Sequence, residues 1–590
     1  MSGRAPKVLI LGKEDRAFLA VVRSFGRQGA RVHLAWTPPD SLARHSKYVA
    51  RVHDDVPPHS PHDDAWKGAF VALCERERFD LVIPTNDATI IPLQTHRAEL
   101  EPHARLYLIP DEAFEIAFDK GRTYALAESV GVPLPTQQVL SLPIAPDAID
   151  PSWYPLVLKP QASFTLDDLQ HKHFVRKVKG SEDLAEQLAF FAGEREVIVQ
   201  RHFHGTGAGV ELLAVDGEVL VALSHLRIHE RRKGGADSYR TTLPLRPDML
   251  DAAARMVQAL RYTGVVMFEL KVNLETGEWV LIEINGRFWA SLPLCLHAGA
   301  DFPWWLYQAL VEGRRDFPRD YRVGVYCRNW GRDLVWLKEN FQAPAAERVP
   351  LGALLREIGP MLRGRESSDT FVLDDPRPGL EDLRRLGVRA VHRVRRGVRQ
   401  RLERVPAVRR AQAARAHAAL AKAQRVLFVC KGNICRSPFA EAWARRLAGD
   451  GAEVSSAGYH PKRNRPCPAE GVDAAAGMGV DLGAHRSRIV DEAMVRAADV
   501  VFTFDQENRR TVLARFPFAR QRTFWIGALA EEGTVEIGDP FGGTVDDFRR
   551  TYDAIRRALD AGFARRGTTA RRAAAGTDSS AAGVPGPSES

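Results

Sequence analysis

The chain of 590 residues is too long for one hydrophobic core, and its length predicts about four folding units. Its 45% hydrophobic and 27% charged residues match soluble globular proteins, which excludes a wholly disordered, collagen-like or disulfide-stapled chain. No apolar stretch approaches the roughly 18–20 residues that span a bilayer, and the apolar run at residues 8–11 is too short for a secretory leader. We therefore expect a soluble, cytoplasmic protein.

The net charge of +9 is concentrated in one segment. Residues 381–410 contain eleven arginines and three acidic residues, whereas the rest of the chain is nearly neutral. This composition favours a solvated, partly helical linker, with attachment to an anionic surface as the alternative. No aromatic side chains alternate with the arginines, so nucleic-acid binding is not predicted.

The first elements along the chain form an α/β pattern. Apolar strand-like runs at residues 7–12, 31–36 and 79–84 alternate with helical stretches, which predicts a parallel sheet. Gly12 stands alone before three charged residues, so a dinucleotide-binding fingerprint is not supported.

The pattern then divides the chain into segments, and the predicted fold class is α/β and multidomain. We predict, in order, a small α/β domain at 1–112, an α+β domain at 113–320, its helical extension at 321–380, an arginine-rich linker at 381–424, a parallel α/β domain at 425–563 and a disordered tail at 564–590.

A strand predicted at residues 279–285 carries the first candidate site. Its period of two places Glu283 and Asn285 on one face, and Glu269 lies in the neighbouring predicted strand. Three oxygen ligands converging from adjacent strands suit Mg²⁺ held together with nucleotide phosphates. Arg287 follows on the same face and is suited to stabilising charge on a transferred phosphoryl group.

Two lysines upstream are candidate phosphate ligands, although each alone is typical of a surface residue. Lys120 begins a predicted helix, and Lys159 ends an apolar strand. Together with the acidic strand pair, residues 5–380 resemble the ATP-grasp superfamily, specifically its carboxylate–amine ligase-like members. The positions that match its motifs are Lys120, Lys159, Gln200, Arg227, Glu230, Gly234, Gly235, Glu269, Glu283, Asn285 and Arg287.

The resemblance implies that ATP, with Mg²⁺ or Mn²⁺, activates a small-molecule carboxylate as an acyl phosphate, which an amine or another nucleophile then attacks. The implied ATP-binding residues are Lys120, Lys159, Gln200 at the adenine hinge, and Arg287. The implied metal ligands are Glu269, Glu283 and Asn285. Two departures from the family are Arg201, where the hinge usually carries an acidic residue, and residues 161–165, which lack the glycines of many phosphate lids.

The second candidate site is the run Cys-Lys-Gly-Asn-Ile-Cys-Arg-Ser-Pro at residues 430–438, between an apolar strand and a helical stretch. Successive backbone N–H groups in such a loop form an anion-binding nest, and Arg436 can clamp a phosphoryl group. The same positive field favours the thiolate of Cys430 as a nucleophile. Gly432 permits the tight loop, and the Ser437 hydroxyl can donate to the thiolate.

A departing oxygen needs a proton, and Asp539 in Gly-Asp-Pro-Phe-Gly is the candidate general acid. With these motifs and Ser456-Ala-Gly, residues 425–563 resemble a low-molecular-weight protein tyrosine phosphatase over their whole length. The resemblance implies that Cys430 forms a phosphocysteine, that Arg436 binds the phosphoryl oxygens, and that Asp539 acts first as acid and then as base.

Other positions carry further implications of the resemblance. Asn433 and Ser437 would hold the loop, and Cys435 matches a position that can form a protective disulfide with the nucleophile. Phe541 replaces the usual tyrosine, which keeps an aromatic wall but removes a hydroxyl. Arsenate reductases of this fold need two further redox cysteines, but only Cys467 follows in this chain, so arsenate reduction is not predicted.

The sequence therefore predicts a bifunctional enzyme. One half would ligate a carboxylate to an amine at the expense of ATP. The other would hydrolyse a phosphate monoester, either on a phosphotyrosine protein or on a small molecule. The alternative is a phosphatase that is controlled by a non-catalytic ATP-binding module.

Overall fold

The computed structural model divides into two compact units, residues 1–389 and 390–590. It describes all residues except 1–3, 14–15, 61–62, 145–147, 162–174, 192–193, 232–236, 404, 531–534 and 578–590. The predicted pair at Gly234 and Gly235 and most of the predicted phosphate lid lie outside the described residues. No helix in the described parts is long and apolar enough to cross a membrane.

The first unit begins with a four-stranded parallel sheet in the order β3-β2-β1-β4. The sheet is sandwiched by helices because its strands are apolar on both faces. Its elements are β1 Lys7–Leu11, α1 Arg16–Arg27, β2 Arg31–Ala35, β3 Val49–His53, α2 Ala65–Glu77, β4 Leu81–Pro84, α3 Asp87–Thr95 and α4 Arg97–Leu100.

A four-stranded antiparallel sheet follows, in the order β5-β8-β6-β7. It encloses a small apolar core of its own. Its elements are α5 Asp111–Ala117, α6 Lys120–Ser129, β5 Gln137–Ser141, β6 Leu156–Lys159, β7 Arg176–Val178, α7 Ser181–Leu188 and β8 Glu196–Arg201.

The largest sheet has seven strands in the order β13-β12-β9-β10-β11-β14-β15. All neighbouring pairs are antiparallel except the last, which is parallel. Its elements are β9 Thr206–Val215, β10 Glu218–His229, β11 Tyr239–Leu243, α8 Pro247–Ala259, β12 Gly264–Val272, β13 Trp279–Asn285, α9 Leu292–Ala298, α10 Phe302–Val311, β14 Tyr326–Arg328, α11 Trp330–Gln342, α12 Leu351–Arg356, α13 Ile358–Leu362 and β15 Glu366–Ser368.

The segment predicted as a helical extension, 321–380, therefore also contributes two strands. Short strands such as β14 and β15 carry too little periodicity to be distinguished from loops in the sequence. Buried ion pairs between arginines and this segment hold it in place, including Arg240 with Asp369 and Arg23 with Asp375. Helix α14, Arg377–Glu403, then leaves the sheet.

The second unit contains a four-stranded parallel sheet in the order β17-β16-β18-β19. Its elements are α15 Pro406–Lys422, β16 Arg425–Cys430, α16 Arg436–Ala448, β17 Glu453–Gly458, α17 Ala469–Ala476, α18 Glu492–Ala497, β18 Val500–Thr503, α19 Gln506–Arg515, β19 Thr523–Trp525 and α20 Val545–Thr577. Both units together have the α/β multidomain class predicted from the sequence.

Two boundaries in this unit differ from the predictions. Helix α15 lies within the predicted linker, but it buries Ala416 and Leu420 in the apolar core of the unit, where Leu420 packs on Gly562 of α20. The sequence pattern did not indicate that this helix packs on the core, because the helix is rich in arginine and alanine. Helix α20 also continues to Thr577, past the predicted start of a disordered tail at residue 564, since residues 564–577 contain good helix formers and no proline.

Candidate functional site

The loop after β16 bends back on itself before α16 begins at Arg436. Asn433 lies at the bend with a φ of 51°, in the left-handed region that asparagine tolerates. Its backbone N–H donates to the Cys430 sulfur at 3.2 Å, and Cys430 Sγ lies 3.1 Å from Ser437 Oγ. Since Cys430 is only 2% exposed, the sulfur lies at the bottom of the loop and is surrounded by hydrogen-bond donors.

The side chain of Asn433 ties this loop to the neighbouring strand. Its Nδ2 donates to Ser437 Oγ at 3.0 Å and to Ser456 Oγ of β17 at 2.8 Å. Its Oδ1 accepts the backbone N–H of Arg488 at 2.9 Å. The two residues predicted to hold the loop therefore contact each other, and Ser456 joins them from β17.

Two glycines allow the loop and β17 to approach closely. A Cβ atom on Gly458 would lie 2.8 Å from both the Asn433 nitrogen and the Lys431 carbonyl oxygen, which is too short for any side chain. Gly432 is less constrained, because its added Cβ would meet side-chain atoms of Ile434 and Arg465 at 3.0 and 3.3 Å. Gly458 is therefore the more demanding of the two positions.

Arg436 is 1% exposed and holds the predicted acid next to the loop. Its guanidinium pairs with Asp539 Oδ2 at 2.8 Å and with Asp505 Oδ2 at 2.5 Å, and it donates to the Ile537 carbonyl at 2.9 Å. Burial opposes its charge, but Cys430 and the two carboxylates outweigh burial and raise the pKa of Arg436. Nucleophile, clamp and acid, which are far apart in sequence, therefore meet at one place.

Asp505 is a site residue that the sequence analysis missed. It follows strand β18 and caps α19, where its side chain accepts the Asn508 N–H at 2.8 Å. The sequence signal for Asp505 was its position just after the apolar run at residues 500–503, since parallel sheets place ligand-binding residues at the carboxyl ends of their strands.

The remaining predicted positions of this unit differ in exposure. Cys435 and Cys467 are buried, and burial raises the pKa of both thiols, that of Cys467 to about 12. Phe541 is 66% exposed, so the aromatic wall lies at the open rim of the site. The raised pKa values make the thiols of Cys435 and Cys467 poor nucleophiles.

In the first unit, every predicted ATP-site residue lines one cleft. The cleft lies between the antiparallel sheet β5-β8-β6-β7 and strands β9, β10, β12 and β13. Its predicted residues are Lys120, Lys159, Gln200, Arg227, Glu230, Glu269, Glu283, Asn285 and Arg287, and Arg201 also lines it.

The two predicted carboxylate ligands are direct neighbours across antiparallel strands. Glu269 of β12 pairs in register with Glu283 of β13, on the face that also carries Asn285. Both guanidinium nitrogens of Arg227 lie 2.9 Å from the carboxylate of Glu269. Among the described residues Glu283 makes no ion pair or hydrogen bond, so its carboxylate oxygens remain available to a cation next to Glu269.

This donor set consists of two carboxylates and one amide, all oxygen ligands that suit Mg²⁺. The described residues contain no cluster of three or more histidine, cysteine or acidic side chains that could hold a metal by itself. A cation here would therefore take its remaining ligands from a bound nucleotide or from water.

The predicted phosphate and adenine contacts are buried side chains. The Lys159 ammonium is 4% exposed and donates to Tyr124 Oη at 3.0 Å. Burial lowers the pKa of Lys159 to about 8, against the opposing effect of Glu283 and Glu269. Gln200 Nε2 donates to Gln137 Oε1 of the adjacent strand at 2.9 Å.

Lys120 and Arg287 lie at the other wall of the cleft. The side chain of Lys120 is buried, and its backbone N–H donates to the Gln161 carbonyl at 2.9 Å. Arg287 Nε donates to Asp87 Oδ1 at 3.0 Å, which connects the end of β13 to the first helix turn after β4.

A buried histidine beside the acidic pair is a second feature that the sequence analysis missed. Glu283, Glu269, Gly209 and His225 form one row across four strands. A Cβ on Gly209 would lie 2.4 Å from Cε1 of His225, so the imidazole lies over this glycine. Its Nδ1 contacts a carboxylate oxygen of Glu211, and neither ring nitrogen has a hydrogen bond among the described residues. The sequence signal for this close approach was the pair Gly207 and Gly209, separated by one residue inside strand β9.

Comparisons with known proteins match the two parts of the chain to different families. A family model for low molecular weight phosphotyrosine protein phosphatase matches residues 425–568, and one for an ATP-grasp in the biosynthetic pathway with Ter operon matches residues 193–328. The low molecular weight protein-tyrosine-phosphatase Etp of Escherichia coli K12 is 36% identical over 133 residues, 22% of this chain and 88% of that protein. A protein-arginine-phosphatase of Geobacillus stearothermophilus is 30% identical over 136 residues, 23% of this chain and 91% of that protein. A biotin carboxylase–ATP complex structure from Campylobacter jejuni covers 55% of this chain and 74% of its own, at 17% identity and a TM-score of 0.43.

Proposed function

The chain belongs, through residues 425–568, to the low molecular weight phosphotyrosine protein phosphatase family, and we propose that this part hydrolyses phosphate monoesters through Cys430. The chain also contains an ATP-grasp domain, so both resemblances found in the sequence are confirmed. The observation that carries the phosphatase proposal is the convergence of the Cys430 loop, Arg436 and Asp539.

The proposed reaction has two steps. The Cys430 sulfur attacks phosphorus, the ester P–O bond breaks, and the leaving oxygen takes the proton of Asp539. Water then attacks phosphorus, Asp539 takes its proton, and the S–P bond breaks to release inorganic phosphate. Arg436 and the loop N–H groups bind the phosphoryl oxygens in both steps.

Substitution of Asp539 by asparagine tests this assignment. The full chain should hydrolyse p-nitrophenyl phosphate, and Asp539→Asn should lower kcat by about 10²- to 10⁴-fold for a phosphotyrosine peptide. The loss should be smaller for p-nitrophenyl phosphate, because nitrophenolate leaves without a proton. An equal loss of kcat for both substrates would contradict the role of Asp539 as the general acid. Phosphoarginine and a sugar phosphate belong in the same panel, since arginine phosphatases are among the relatives.

For the first unit we propose ATP-dependent ligation of a carboxylate to an amine. The row of facing carboxylates beside two buried lysines supports this proposal. Glu269, Glu283 and Asn285 would hold Mg²⁺, which would neutralise phosphate charge. Mn²⁺ has similar oxygen-ligand chemistry and is the second candidate. Lys120, Lys159 and Arg287 would bind ATP phosphates, and Gln200 the adenine.

Cys430→Ser protein, in which the phosphatase cannot consume products, is suited to the test. It would be incubated with Mg²⁺-ATP and a metabolite extract, while ADP and new masses are followed by mass spectrometry. A carboxylate and an amine joined with loss of water, together with ADP, would establish the ligase. ATP bound without ADP release would contradict it and favour the regulatory alternative.

We further propose that His225 accepts the proton of the attacking amine, with Glu211 orienting its ring. Once the carboxylate is known, His225→Gln should slow transfer to the amine by about a hundredfold. Hydroxylamine is largely unprotonated at neutral pH and loses its proton to water after attack, so it should restore turnover as the hydroxamate without His225. If hydroxylamine is slowed equally, the histidine serves the earlier step or the structure alone.

A further inference from the structure

Helix α14 exposes a continuous apolar stripe. At 100° per residue, five of its leucines and valines fall within about a quarter of the helix circumference, while Leu386 and Val388 lie outside that arc on opposite sides. These five are Leu380, Leu383, Val391, Val394 and Val398, and all are between 48% and 65% exposed. Such a stripe on a surface helix normally packs on another apolar surface.

The rest of the helix surface is strongly basic. Residues 384–401 contain eight arginines and no acidic residue. Within the described residues Arg389, Arg393 and Arg395 form no ion pair. Like-charge repulsion along this face would be relieved by an anionic partner.

Only the first turns of α14 contact the segment that surrounds the seven-stranded sheet. Thr370 Oγ1 donates to Asp382 at 3.0 Å, and Leu386 packs against Gly331 of α11. Between residues 388 and 398, the described side chains make no hydrogen bond or ion pair. The stripe and the arginines are therefore both open to a partner along this middle part.

We propose that residues 380–402 bind the surface of an anionic lipid bilayer. A bilayer interface offers both partners that the helix lacks, acyl chains for the leucines and valines and anionic headgroups for the arginines. Pairing of two copies of the helix would bury the stripe but bring two sets of eight arginines together. A nucleic acid would neutralise the arginines and leave the stripe exposed. The helix lies in the interface plane and does not cross the bilayer.

The experiment is flotation of the full chain with two kinds of vesicle, phosphatidylcholine alone and phosphatidylcholine with about 30% phosphatidylglycerol. We expect binding to the anionic vesicles only, weakened by salt. Replacing Arg389, Arg393 and Arg395 by glutamine should lower the affinity by about a hundredfold, since each arginine near a bilayer contributes about 1 kcal/mol.

A second variant isolates the stripe. Replacing Val391, Val394 and Val398 by glutamine keeps all charges and helix formers and should also abolish flotation. The matched control replaces Arg549, Arg550 and Arg557 of α20 by glutamine, which removes equal charge elsewhere and should leave binding unchanged. Activity on p-nitrophenyl phosphate verifies folding of each variant.

Three results would overturn the proposal. The first is no binding to anionic vesicles at low salt. The second is unchanged binding of the valine variant, because adsorption would then need charge alone. The third is a valine variant that changes from dimer to monomer in light scattering, because the stripe would then be a contact between copies of the chain.

Discussion

The two candidate sites are built in opposite ways. In the phosphatase unit, residues 430–437 supply the nucleophile, the clamp and two residues that hold the loop, while the acid and the outer supports Ser456 and Asp505 come from elsewhere. In the ATP-grasp unit, the functional side chains are distributed over helix α6 and several strands, from Lys120 to Arg287. A compact motif predicts local geometry directly, whereas a distributed site depends on the register of several strands.

The two sites also differ in electrostatics. Arg436 is already paired with Asp505 and Asp539, so the carboxylates at the phosphate loop have a fixed cationic partner. In the cleft, Glu283 makes no hydrogen bond or ion pair among the described residues. We therefore expect the first site to be active without metal and the second to require one.

The largest expected effect separates the two sites. Cys430→Ser should lower phosphatase kcat by about ten-thousandfold or more, because the hydroxyl is a far weaker nucleophile than a thiolate. ATP consumption should be unchanged. Both rates can be measured on the same preparation, with Cys467→Ser as the matched control, since that thiol is buried and off the reaction path. Loss of ATP consumption in Cys430→Ser would show that the sites are coupled.

The reciprocal change is expected to be nearly as large. Glu283→Gln keeps the size of the side chain but removes a metal-binding charge, and should lower ADP formation by about a thousandfold. Phosphatase activity should stay within about twofold. Chelation of metal by EDTA should likewise lower ADP formation and leave phosphatase activity unchanged in the unmodified chain. A phosphatase that also stops in EDTA would contradict the electrostatic contrast between the sites.

A smaller effect tests how far the phosphate loop supports itself. Asn433→Ala removes three hydrogen bonds and places alanine at a positive φ, and should lower phosphatase kcat by about ten- to a hundredfold. Asn433→Gly relieves the backbone strain without restoring the bonds and should recover part of the loss. Full recovery by glycine would assign the whole effect to the backbone.

The smallest expected effect concerns support for the cleft. His229 at the end of β10 bonds Asp333 at 2.7 Å and Glu357 at 3.0 Å. Burial opposes its charge, but these carboxylates outweigh burial and raise the pKa of His229. These contacts stabilise the folded state fully at pH values below the pKa of His229 in the unfolded chain. The stabilisation is lost as the pH rises through the pKa of His229 in the folded state.

His229→Gln should therefore destabilise the first unit by about 3 kcal/mol at about pH 6 and by clearly less at about pH 9. Thermal unfolding at both values measures the difference, with His59→Gln as a control outside the network. An equal loss at both values would mean that His229 packs as the neutral ring. The phosphatase unit should unfold unchanged in either case.

Much of this molecule was predictable from local pattern. The apolar strand before Cys430 and the helix after Arg436 lie where the sequence places them, because strand, nest and helix N-terminus are consecutive in the chain. The period-two argument for Glu283 and Asn285 also agrees with their shared face, because it too needs only one strand.

Other features needed distant segments. Asp505 and His225 escaped prediction because their partners, Arg436 and Glu211, are identified only once separate strands are aligned. Strands β14 and β15 have three residues each, and buried ion pairs hold their segment rather than any local preference. Helix α15 resembled a linker in sequence because it is mostly alanine and polar residues and buries only Ala416 and Leu420.

The sequence by itself determined the two enzyme families and the order in which they occur, and it predicted most of the residues that meet at the two candidate sites, because motifs and hydrophobic periodicity are local. Only the tertiary structure decided that Asp505 shares Arg436 with the acid and that His225 lies beside the acidic pair. It also decided that α15 belongs to a core while α14 exposes an apolar stripe. These outcomes depend on which surfaces meet, and burial and charge pairing across distant segments are not encoded in any one stretch of chain.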